Sequence, residues 1–304
     1  MKKYIIDTDI GDDIDDAFAL DWALKANVNL LGVTTVYRNV QDRARIAKRM
    51  ISLYGKNIPV FFGYGSTLDG MDESFPLCQW TEEAGMDEFK PDNTRSEEAI
   101  DFILDAARRY KKEFYLLAVG PLTNVARAIE KDPVAMGAIG GVVLMGGDFV
   151  NHYAEWNIRC DVKAASVVFS SDADVVAFGH ENTSRLKISK EEQDYVFSMD
   201  QDPYHAYLAE ISRLWHKTKP AHFRIVLHDL MVIRYVLEPD YCPLERIPVL
   251  VETKGEYTRA MTLNLTLFDY LPTKKYVRVA KDVDVPEFIQ TFMKNIGYAP
   301  KEEN

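Results

Sequence analysis

The chain has 304 residues, 47% of them apolar and 27% charged, which is enough for one large α/β domain or two small ones around a substantial core. Its 36 basic and 47 acidic side chains give a net charge of −11, a balance that argues against a nucleic-acid partner, because phosphate backbones attract clustered Lys and Arg. No apolar run reaches the roughly 18 residues of a membrane span, and the N-terminus lacks the apolar stretch of a signal peptide, so no membrane partner is predicted.

The first two-thirds of the chain alternate short apolar runs with helical patterns. In chain order, these patterns predict a strand over 4–7, a helix over 15–26, a strand over 30–36, a helix over 41–54, a strand over Val60–Phe62, an irregular stretch over 66–93, a helix over 96–111, and strands over 114–119, Gly141–Met145 and Val175–Phe178. Because these strands are unbroken apolar runs separated by helices, they predict a mainly parallel central sheet flanked by helices on both faces.

The pattern changes beyond residue 184. Helices are predicted over 190–199, 204–217 and 229–237, then an antiparallel hairpin of strands 248–253 and 257–265, a terminal helix over 285–296 and a frayed, charged tail. The chain shows no internal repeat, low-complexity tract or linker. A single α/β domain over residues 1–304 is therefore predicted, with the hairpin and several helices added at its C-terminal end.

The cysteines indicate the compartment. Cys78, Cys160 and Cys242 lie far apart in the sequence and lack the spacing of a metal site. A sparse, odd number of cysteines argues against a disulfide scaffold and fits a reducing environment. A cytoplasmic protein is predicted.

An acidic segment follows the first predicted strand. The residues Asp7-Thr8-Asp9-Ile10-Gly11-Asp12-Asp13-Ile14-Asp15-Asp16 place six carboxylates within ten positions, where the strand ends and a helix begins. Ligands bind at this edge of a parallel sheet. Carboxylates a few Å apart repel one another, and a hard divalent cation such as calcium or magnesium, which prefers carboxylate oxygens, would offset that repulsion.

A simpler explanation covers part of this segment. One or two acids at a helix start are favoured as caps and by the helix dipole, by roughly 0.3–1 kcal/mol each for the dipole. Six acids exceed that need, although a solvated acidic turn stays open as an alternative. The spacing also differs from a calcium-binding helix-loop-helix, which ends in a bidentate Glu about twelve residues on.

The acidic segment, with Asp15-Asp16-Ala17-Phe18-Ala19-Leu20 behind it, resembles the N-terminal signature of the inosine–uridine preferring nucleoside hydrolase family. Further segments are similar to those of the family and come in the same order across nearly the whole chain. They are Gly32-Val33-Thr34-Thr35-Val36-Tyr37-Arg38-Asn39, Ala118-Val119-Gly120-Pro121-Leu122-Thr123-Asn124, Met145-Gly146-Gly147, Ala154-Glu155-Trp156-Asn157-Ile158 and Leu227-His228-Asp229. Each is short, but five in the right order at compatible separations are specific.

This resemblance implies a Rossmann-related, nucleoside hydrolase-like fold and a calcium-dependent enzyme of nucleoside salvage. Its implied reaction is hydrolysis of the N-glycosidic bond of a ribonucleoside, or a related N-riboside, by water on a bound calcium ion, giving ribose and free base. Such a bond breaks through an oxocarbenium-like sugar, as in glycosidases. The resemblance further implies a homo-oligomer, either a dimer or a tetramer.

The resemblance also implies roles for particular residues. The implied calcium ligands are Asp9, Asp16, Asp229 and the main-chain carbonyl of Val119. Asp9 would also take the proton from the attacking water. The segment between Gly11 and the acidic pair is two residues longer than the common family pattern, so Asp12 or Asp13 could enter the metal shell as well.

The remaining implied residues contact the substrate. Asp15 would bond the ribose 2-hydroxyl, and Asn39, Glu155 and Asn157 would hold the sugar. His228 would face the base and protonate it on departure, because imidazole titrates near neutral pH.

The resemblance weakens on the base side. Family members carry a His-Gly element in the loop after the third strand, whereas here the loop reads Phe75-Pro76-Leu77-Cys78-Gln79-Trp80, and all six His lie at 152 or beyond. The base is therefore left open. Two other functions also stay open: a haloacid dehalogenase-type phosphatase with Asp7 as nucleophile, and a catalytically silent metal-binding protein of the same fold.

Overall fold

The computed structural model describes residues 1–267 and 275–299. Its strands are β1 (Lys3–Thr8), β2 (Leu30–Thr35), β3 (Val60–Phe62), β4 (Phe114–Ala118), β5 (Gly141–Met145), β6 (Val175–Phe178), β7 (Leu244–Val251), β8 (Thr262–Asn264) and β9 (Lys275–Ala280). Within these residues, all nine strands join one sheet in the order β3-β2-β1-β4-β5-β6-β9-β7-β8.

The helices cover both faces of this sheet. They are α1 (Asp15–Lys25), α2 (Val40–Leu53), α3 (Glu97–Tyr110), α4 (Thr123–Lys131), α5 (Pro133–Gly137), α6 (Trp156–Cys160), α7 (Val162–Ser170), α8 (His180–Thr183), α9 (Lys190–Ser198), α10 (Pro203–His216), α11 (Leu230–Leu237) and α12 (Val285–Asn295). Short 3-10 turns occupy Glu83–Gly85, Asp87–Phe89 and Lys111–Glu113.

Strands β1 to β6 pair with one another in parallel, and β9 pairs with β6 in parallel, which confirms the predicted mainly parallel sheet. β7 runs antiparallel to both β8 and β9. The predicted C-terminal hairpin is thus confirmed as β7 and β8, although its second strand covers three residues instead of the nine predicted over 257–265.

Strand β9 was not predicted from the sequence. It lies between β6 and β7, so it joins the parallel part of the sheet to the antiparallel part. Its pattern alternates exposed Lys275 and Tyr276 with buried Val277 and Val279, as expected for a half-buried strand. The pattern is too short to identify alone, because its pairing depends on strands far away in the sequence. The predicted frayed tail at 300–304 lies outside the described residues.

Two apolar clusters sandwich the sheet. On β1, Ile6 packs into the cluster formed with α1, α2, α10, α11 and α12, and its neighbour Ile5 packs into the opposite cluster formed with α3, α4 and α7. This alternation follows from the two-residue period of a strand. Both faces of the central strands are therefore buried, so a ligand can reach these strands only at their ends. No helix within residues 1–267 and 275–299 is long and apolar enough to cross a membrane.

Candidate active site

The segments that follow β1, β2, β4 and β5 border a cavity of about 600 Å³ at the carboxyl edge of the sheet. β1 lies between β2 and β4, so the acidic segment after it reaches the centre of this edge. The predicted site residues that line the cavity are Asp9, Asp12, Asp13, Asp15, Asp16, Val119, Glu155, Asn157, His228 and Asp229. The structure thus brings together residues separated by more than 200 positions in the sequence.

Three carboxylates converge inside this cavity. Asp15, Asp16 and Asp229 each offer an oxygen, and these oxygens all lie within 4.8 Å of one another. Each of the three residues is at most 4% exposed. Asp229 occupies the N-cap position of α11, yet its side chain makes no capping hydrogen bond. Capping therefore does not account for its position beside the other two acids.

Asp9 lies next to this group of three. It is 7% exposed, and its charge raises the pKa of Asp16 and of Asp229. Gly120 makes its position feasible, because a Cβ at residue 120 would lie 2.7 Å from Asp9 Oδ1 and 2.9 Å from Asp9 N. A glycine after β4 is thus required for the Asp9 carboxylate to reach the cavity.

The crowded acids are costly to ionise without a cation. Burial, partly offset by Arg43, raises the pKa of Asp9 from 3.8 to about 7. Burial and mutual repulsion raise the pKa of Asp15, Asp16 and Asp229 well above the ordinary value. Thr8 Oγ1 donates a hydrogen bond to Asp16, and Asp229 N donates one to Asp15 Oδ2 at 3.1 Å. These bonds orient the carboxylates without neutralising them.

Arg43 supports the acidic loop from beneath. It is fully buried, and its guanidinium donates to the carbonyls of Asp9, Ile10 and Tyr37. Its Nη2 also donates to Asp12 Oδ2 at 2.7 Å, which directs that carboxylate to the arginine. The sequence contained no obvious signal for this role, because Arg43 lies within an otherwise ordinary helical pattern.

Asp12 and Asp13, the two acids whose part in the metal shell the sequence left open, lie outside the group of three oxygens, as the predicted ligand Asp9 does. Asp12 forms the ion pair with Arg43. Asp13 Oδ1 accepts the backbone N–H of Ile14 at 2.8 Å. Their participation in metal binding stays a prediction.

Asn157 and Glu155 fix the opposite wall. Asn157 Nδ2 donates to the carbonyls of Val119 and Met145 at 3.0 and 3.1 Å, so it ties together the segments after β4 and within β5. Glu155 is the N-cap of α6, and its carboxylate accepts the N–H groups of Gly147, Asn157 and Ile158. Burial raises the pKa of Glu155, while these bonds lower it. Both side chains are held rigidly at the cavity surface.

Asn39 is placed differently. It does not line the cavity, and its Oδ1 accepts the backbone N–H of Phe75 at 3.1 Å. Phe75 does line the cavity. In this structure Asn39 therefore positions a loop at the cavity mouth, and its predicted contact with ribose stays a prediction.

His228 lies at the inner end of the cavity beside Asp229. Its Nδ1 is 2.8 Å from Thr183 Oγ1, which orients the ring. Burial, and then the neighbouring His180, lower the pKa of His228 from 6.5 to about 4. The imidazole is therefore neutral near pH 7 in the free protein. A neutral imidazole can still donate a hydrogen bond to a departing base, but complete protonation of the base becomes costly.

Several cavity residues were not identified from the sequence. Arg38, Phe75, Tyr153, His180 and Lys219 also line the cavity. Arg38 follows Tyr37, and both adopt a positive φ, of 61° and 69°, which is rare for residues other than glycine. The Arg38 guanidinium lies 3.7 Å from the ring centroid of Phe75. Isolated aromatic and basic residues are common in any sequence, so only the fold reveals that these five share one cavity.

The phosphatase alternative would require Asp7 as an exposed nucleophile. Asp7 is fully buried and does not line the cavity. Its Oδ1 accepts hydrogen bonds from Thr34 Oγ1 at 2.6 Å and from Asn124 Nδ2 at 2.8 Å. Burial also raises its pKa to about 7. These observations argue against the phosphatase reaction.

The cavity combines an oxygen-only cluster of carboxylates, a rigid polar wall and a neutral imidazole. Carboxylate oxygens suit a hard cation such as calcium or magnesium. Together with the mainly parallel sheet, this arrangement fits a metal-dependent enzyme of the α/β class.

Comparison with known proteins identifies the family. Residues 4–290 match the family model described as inosine-uridine preferring nucleoside hydrolase. The chain belongs to this family and is an N-glycoside hydrolase of the ribonucleoside hydrolase type. The family match confirms the resemblance noted in the sequence and removes support for the phosphatase alternative.

Individual relatives extend this result. The chain is 33% identical over 270 residues to uridine nucleosidase 1 of Arabidopsis thaliana, covering 84% of this chain and 79% of the relative. Among solved structures, the plant nucleoside hydrolase PpNRh1 matches with a TM-score of 0.82 and 27% identity over 98% of this chain and 99% of that one. The purine-preferring ribonucleoside hydrolase from Gardnerella vaginalis matches with a TM-score of 0.78 and 27% identity over 97% and 98% of the two chains.

Proposed function

We propose that the protein hydrolyses the N-glycosidic bond of a ribonucleoside in a calcium-dependent reaction, with Asp9 as the base that deprotonates the attacking water. The observation that carries this proposal is the convergence of Asp15, Asp16 and Asp229 beside Asp9 in the cavity. Asp229 comes from a segment more than 200 residues away, so the convergence reflects the fold and not a local acidic run.

The spacing of these oxygens fits one cation. Calcium binds oxygen ligands at about 2.3–2.6 Å, so two ligands of a single ion lie at most about 5 Å apart. The oxygens of Asp16 and Asp229, two of the proposed ligands, lie within 4.8 Å of each other, and the Asp15 oxygen lies within the same distance of both. Calcium is favoured over magnesium because it accepts six to eight oxygen ligands in a flexible geometry, whereas magnesium requires near-octahedral geometry and retains several waters.

The ligands would be Asp9, Asp16, Asp229 and the carbonyl of Val119. When bound, the cation would lower the pKa of a coordinated water and offset the repulsion between the carboxylates. The Val119 carbonyl already accepts a hydrogen bond from Asn157 at 3.0 Å, and its second lone pair leaves it able to act as a ligand.

The chain's own groups would perform the remaining steps. Asp9 would accept the proton of the water that attacks the sugar. Asp15 would accept a hydrogen bond from the ribose 2-hydroxyl, and Glu155 and Asn157 would hold the sugar against the opposite wall. His228 would donate a hydrogen bond to the leaving base, since its orientation is fixed by Thr183.

The base is left open between pyrimidine and purine. One relative is a uridine nucleosidase, and one structural neighbour is a purine-preferring ribonucleoside hydrolase. Uridine is itself a ribonucleoside, so both names indicate a ribonucleoside substrate. This supports recognition of the ribose as the feature that the two proteins have in common. A role in nucleoside salvage follows from such a reaction, since it releases free bases.

The test is a panel of uridine, cytidine, inosine and adenosine, assayed for reducing sugar. Release of ribose from at least one nucleoside is expected, with loss of turnover after chelation and recovery on addition of calcium. Magnesium should restore less turnover than calcium. Tight calcium binding without ribose release from any nucleoside would instead support a silent metal-binding protein, and turnover unaffected by chelation would contradict the metal-dependent mechanism.

Location and assembly are further proposals. Cys78, Cys160 and Cys242 are free thiols, which supports a reducing compartment and hence the cytoplasm. Family resemblance supports a homo-oligomer, and a single domain over 1–304 is supported by the one sheet that joins all the described strands. Sedimentation equilibrium of the purified protein would distinguish a monomer from a dimer or tetramer.

A further inference from the structure

Three aromatic side chains form a column along one wall of the cavity. The ring centroids of His228 and His180 lie 5.9 Å apart with an interplanar angle of 17°, and those of His180 and Tyr153 lie 4.2 Å apart at 25°. All three residues line the cavity. The column starts beside Asp229 and ends at Tyr153, which is 43% exposed at the mouth.

The middle ring of the column, His180, contacts a buried carboxylate, that of Asp148. His180 Nδ1 lies 3.5 Å from Asp148 Oδ2, and Asp148 is fully buried. Asp148 is itself fixed, because its carboxylate accepts the N–H groups of Val150 and Asn151 at 3.1 and 2.6 Å. This contact places a buried carboxylate beside Nδ1 and leaves Nε2 out of it.

The two imidazole rings resemble each other in their contacts, because in each ring Nδ1 faces a protein group. His180 Nδ1 faces Asp148, and His228 Nδ1 faces Thr183. Among residues 1–267 and 275–299, the Nε2 atoms of both rings have no hydrogen-bond partner, although both rings border the cavity. Stacked rings cover one another's faces, so it is their edges that a ligand can reach. Two neighbouring imidazole nitrogens along one wall would suit the polar edge of a planar heterocycle.

We propose that His180 is a specificity-determining residue that contacts the leaving base through Nε2, and that Tyr153 forms the outer part of the same subsite. This inference rests on the proposed hydrolysis of ribonucleosides. With ribose hydroxyls on the carboxylates at the inner end, the substituent at C1 extends along the column towards the mouth. The chemical class recognised is a planar nitrogen heterocycle with a hydrogen-bonding edge, such as uracil or hypoxanthine.

The alternative is a purely structural ring. His180 is the first residue of the short helix α8, and its backbone N–H donates to the carbonyl of Gly147 at 2.7 Å. The imidazole could then serve only to pack Tyr153 against His228. A structural ring would support every substrate equally, whereas a base contact would depend on the heteroatoms of the leaving group. The choice of leaving group therefore separates the two roles.

The test compares His180→Phe with the wild type on uridine, inosine and 4-nitrophenyl β-D-riboside. Phenylalanine keeps a flat ring in the column but removes both nitrogens. We expect kcat/KM for uridine and inosine to fall roughly tenfold to hundredfold, with a rise in KM, because a buried polar contact is lost. The nitrophenyl riboside, whose leaving group has no ring nitrogen, should lose less than about threefold.

Two further variants make the comparison specific. His180→Gln places an amide near the position of Nε2 and should recover part of the preference for uridine and inosine over the nitrophenyl riboside. His152→Phe makes the same type of substitution at an exposed histidine outside the cavity and should leave all three rates within about twofold. Thermal unfolding identifies folded variants, and His180→Leu, which also lacks both ring nitrogens, replaces His180→Phe if that variant does not fold.

The outcomes separate this inference from the proposed function. Equal losses on all three substrates, or a fall in kcat alone, would overturn the base contact and leave His180 with a packing role. An unchanged His180→Phe would overturn it as well. A wild-type protein that releases ribose from none of the three substrates would overturn the proposed function, and with it the base subsite.

Discussion

Substitution of Asp9 by Asn should separate activity from stability. Asp9 is the proposed base, and removing a positioned base typically lowers turnover by about a hundredfold to ten-thousandfold. The same change removes a charge from a site that is 7% exposed. In the absence of metal, Asp9→Asn should therefore be nearly inactive and more stable than the wild type.

The size of the stability gain follows from the pKa of Asp9. Burial raises that pKa from 3.8 to about 7. At about 1.36 kcal/mol per pKa unit, keeping Asp9 ionised at pH 8 costs up to about 4 kcal/mol, and relaxation of neighbouring acids will reduce this figure. A group whose pKa is raised by folding destabilises the protein increasingly as pH rises from its unfolded value to its folded value. The gain should thus be largest at pH 8 and much smaller at pH 5.

The assay is urea unfolding with chelator at pH 5 and pH 8, together with ribose release in calcium. Asp240→Asn provides a matched control, because Asp240 is exposed and lies outside the cavity. Its stability should change little at either pH. Near-normal turnover in Asp9→Asn would remove Asp9 as the base. A variant that is no more stable than the wild type at pH 8 would refute the claim that the acidic cluster is under electrostatic strain.

Three other predictions follow from the same site. In the presence of chelator, the melting temperature should fall as pH rises from 5 to 8, because folding raises the pKa of Asp15, Asp16 and Asp229. Calcium should weaken this pH dependence. A metal-free melting temperature that rises with pH would contradict the prediction. Arg43→Met should lower the unfolding free energy by about 3–5 kcal/mol, measured in urea, because it leaves the buried carbonyls of Asp9 and Ile10 without their donor and Asp12 without its ion-pair partner. A loss below about 1 kcal/mol would refute that supporting role. His228→Ala should lower kcat about tenfold or more on nucleosides and least on 4-nitrophenyl riboside, and equal losses would discredit its contact with the base.

The parallel sheet could be predicted because its signal is local. Each of the strands β1 to β6 is a short apolar run, and burial on both faces is what such runs require. β9 could not be predicted in this way, since Lys275–Ala280 is recognisable as a strand only once β6 and β7 flank it. For the same reason, the second hairpin strand was predicted too long: residues 257–261 come before the first paired residue, Thr262, which pairs with Val251.

In the candidate site as well, some residues could be predicted from the sequence and others could not. The crowding of carboxylates in 7–16 was visible as an electrostatic conflict, and the ordered family segments identified Asp229 as their distant partner. The proposed base side could not be predicted, because His180 and Tyr153 carry no local signal and lie outside the segments that resemble the family. Arg43 was missed for a different reason: its contacts are to backbone carbonyls, which a sequence pattern does not encode.

The proposed mechanism depends on one divalent cation that joins the acids after β1 to Asp229. Isothermal titration calorimetry of chelator-treated protein with calcium tests it directly. We expect one calcium ion per chain in the wild type and an affinity at least about tenfold weaker in Asp229→Asn. No calcium binding, or equal affinity in the two proteins, would contradict it.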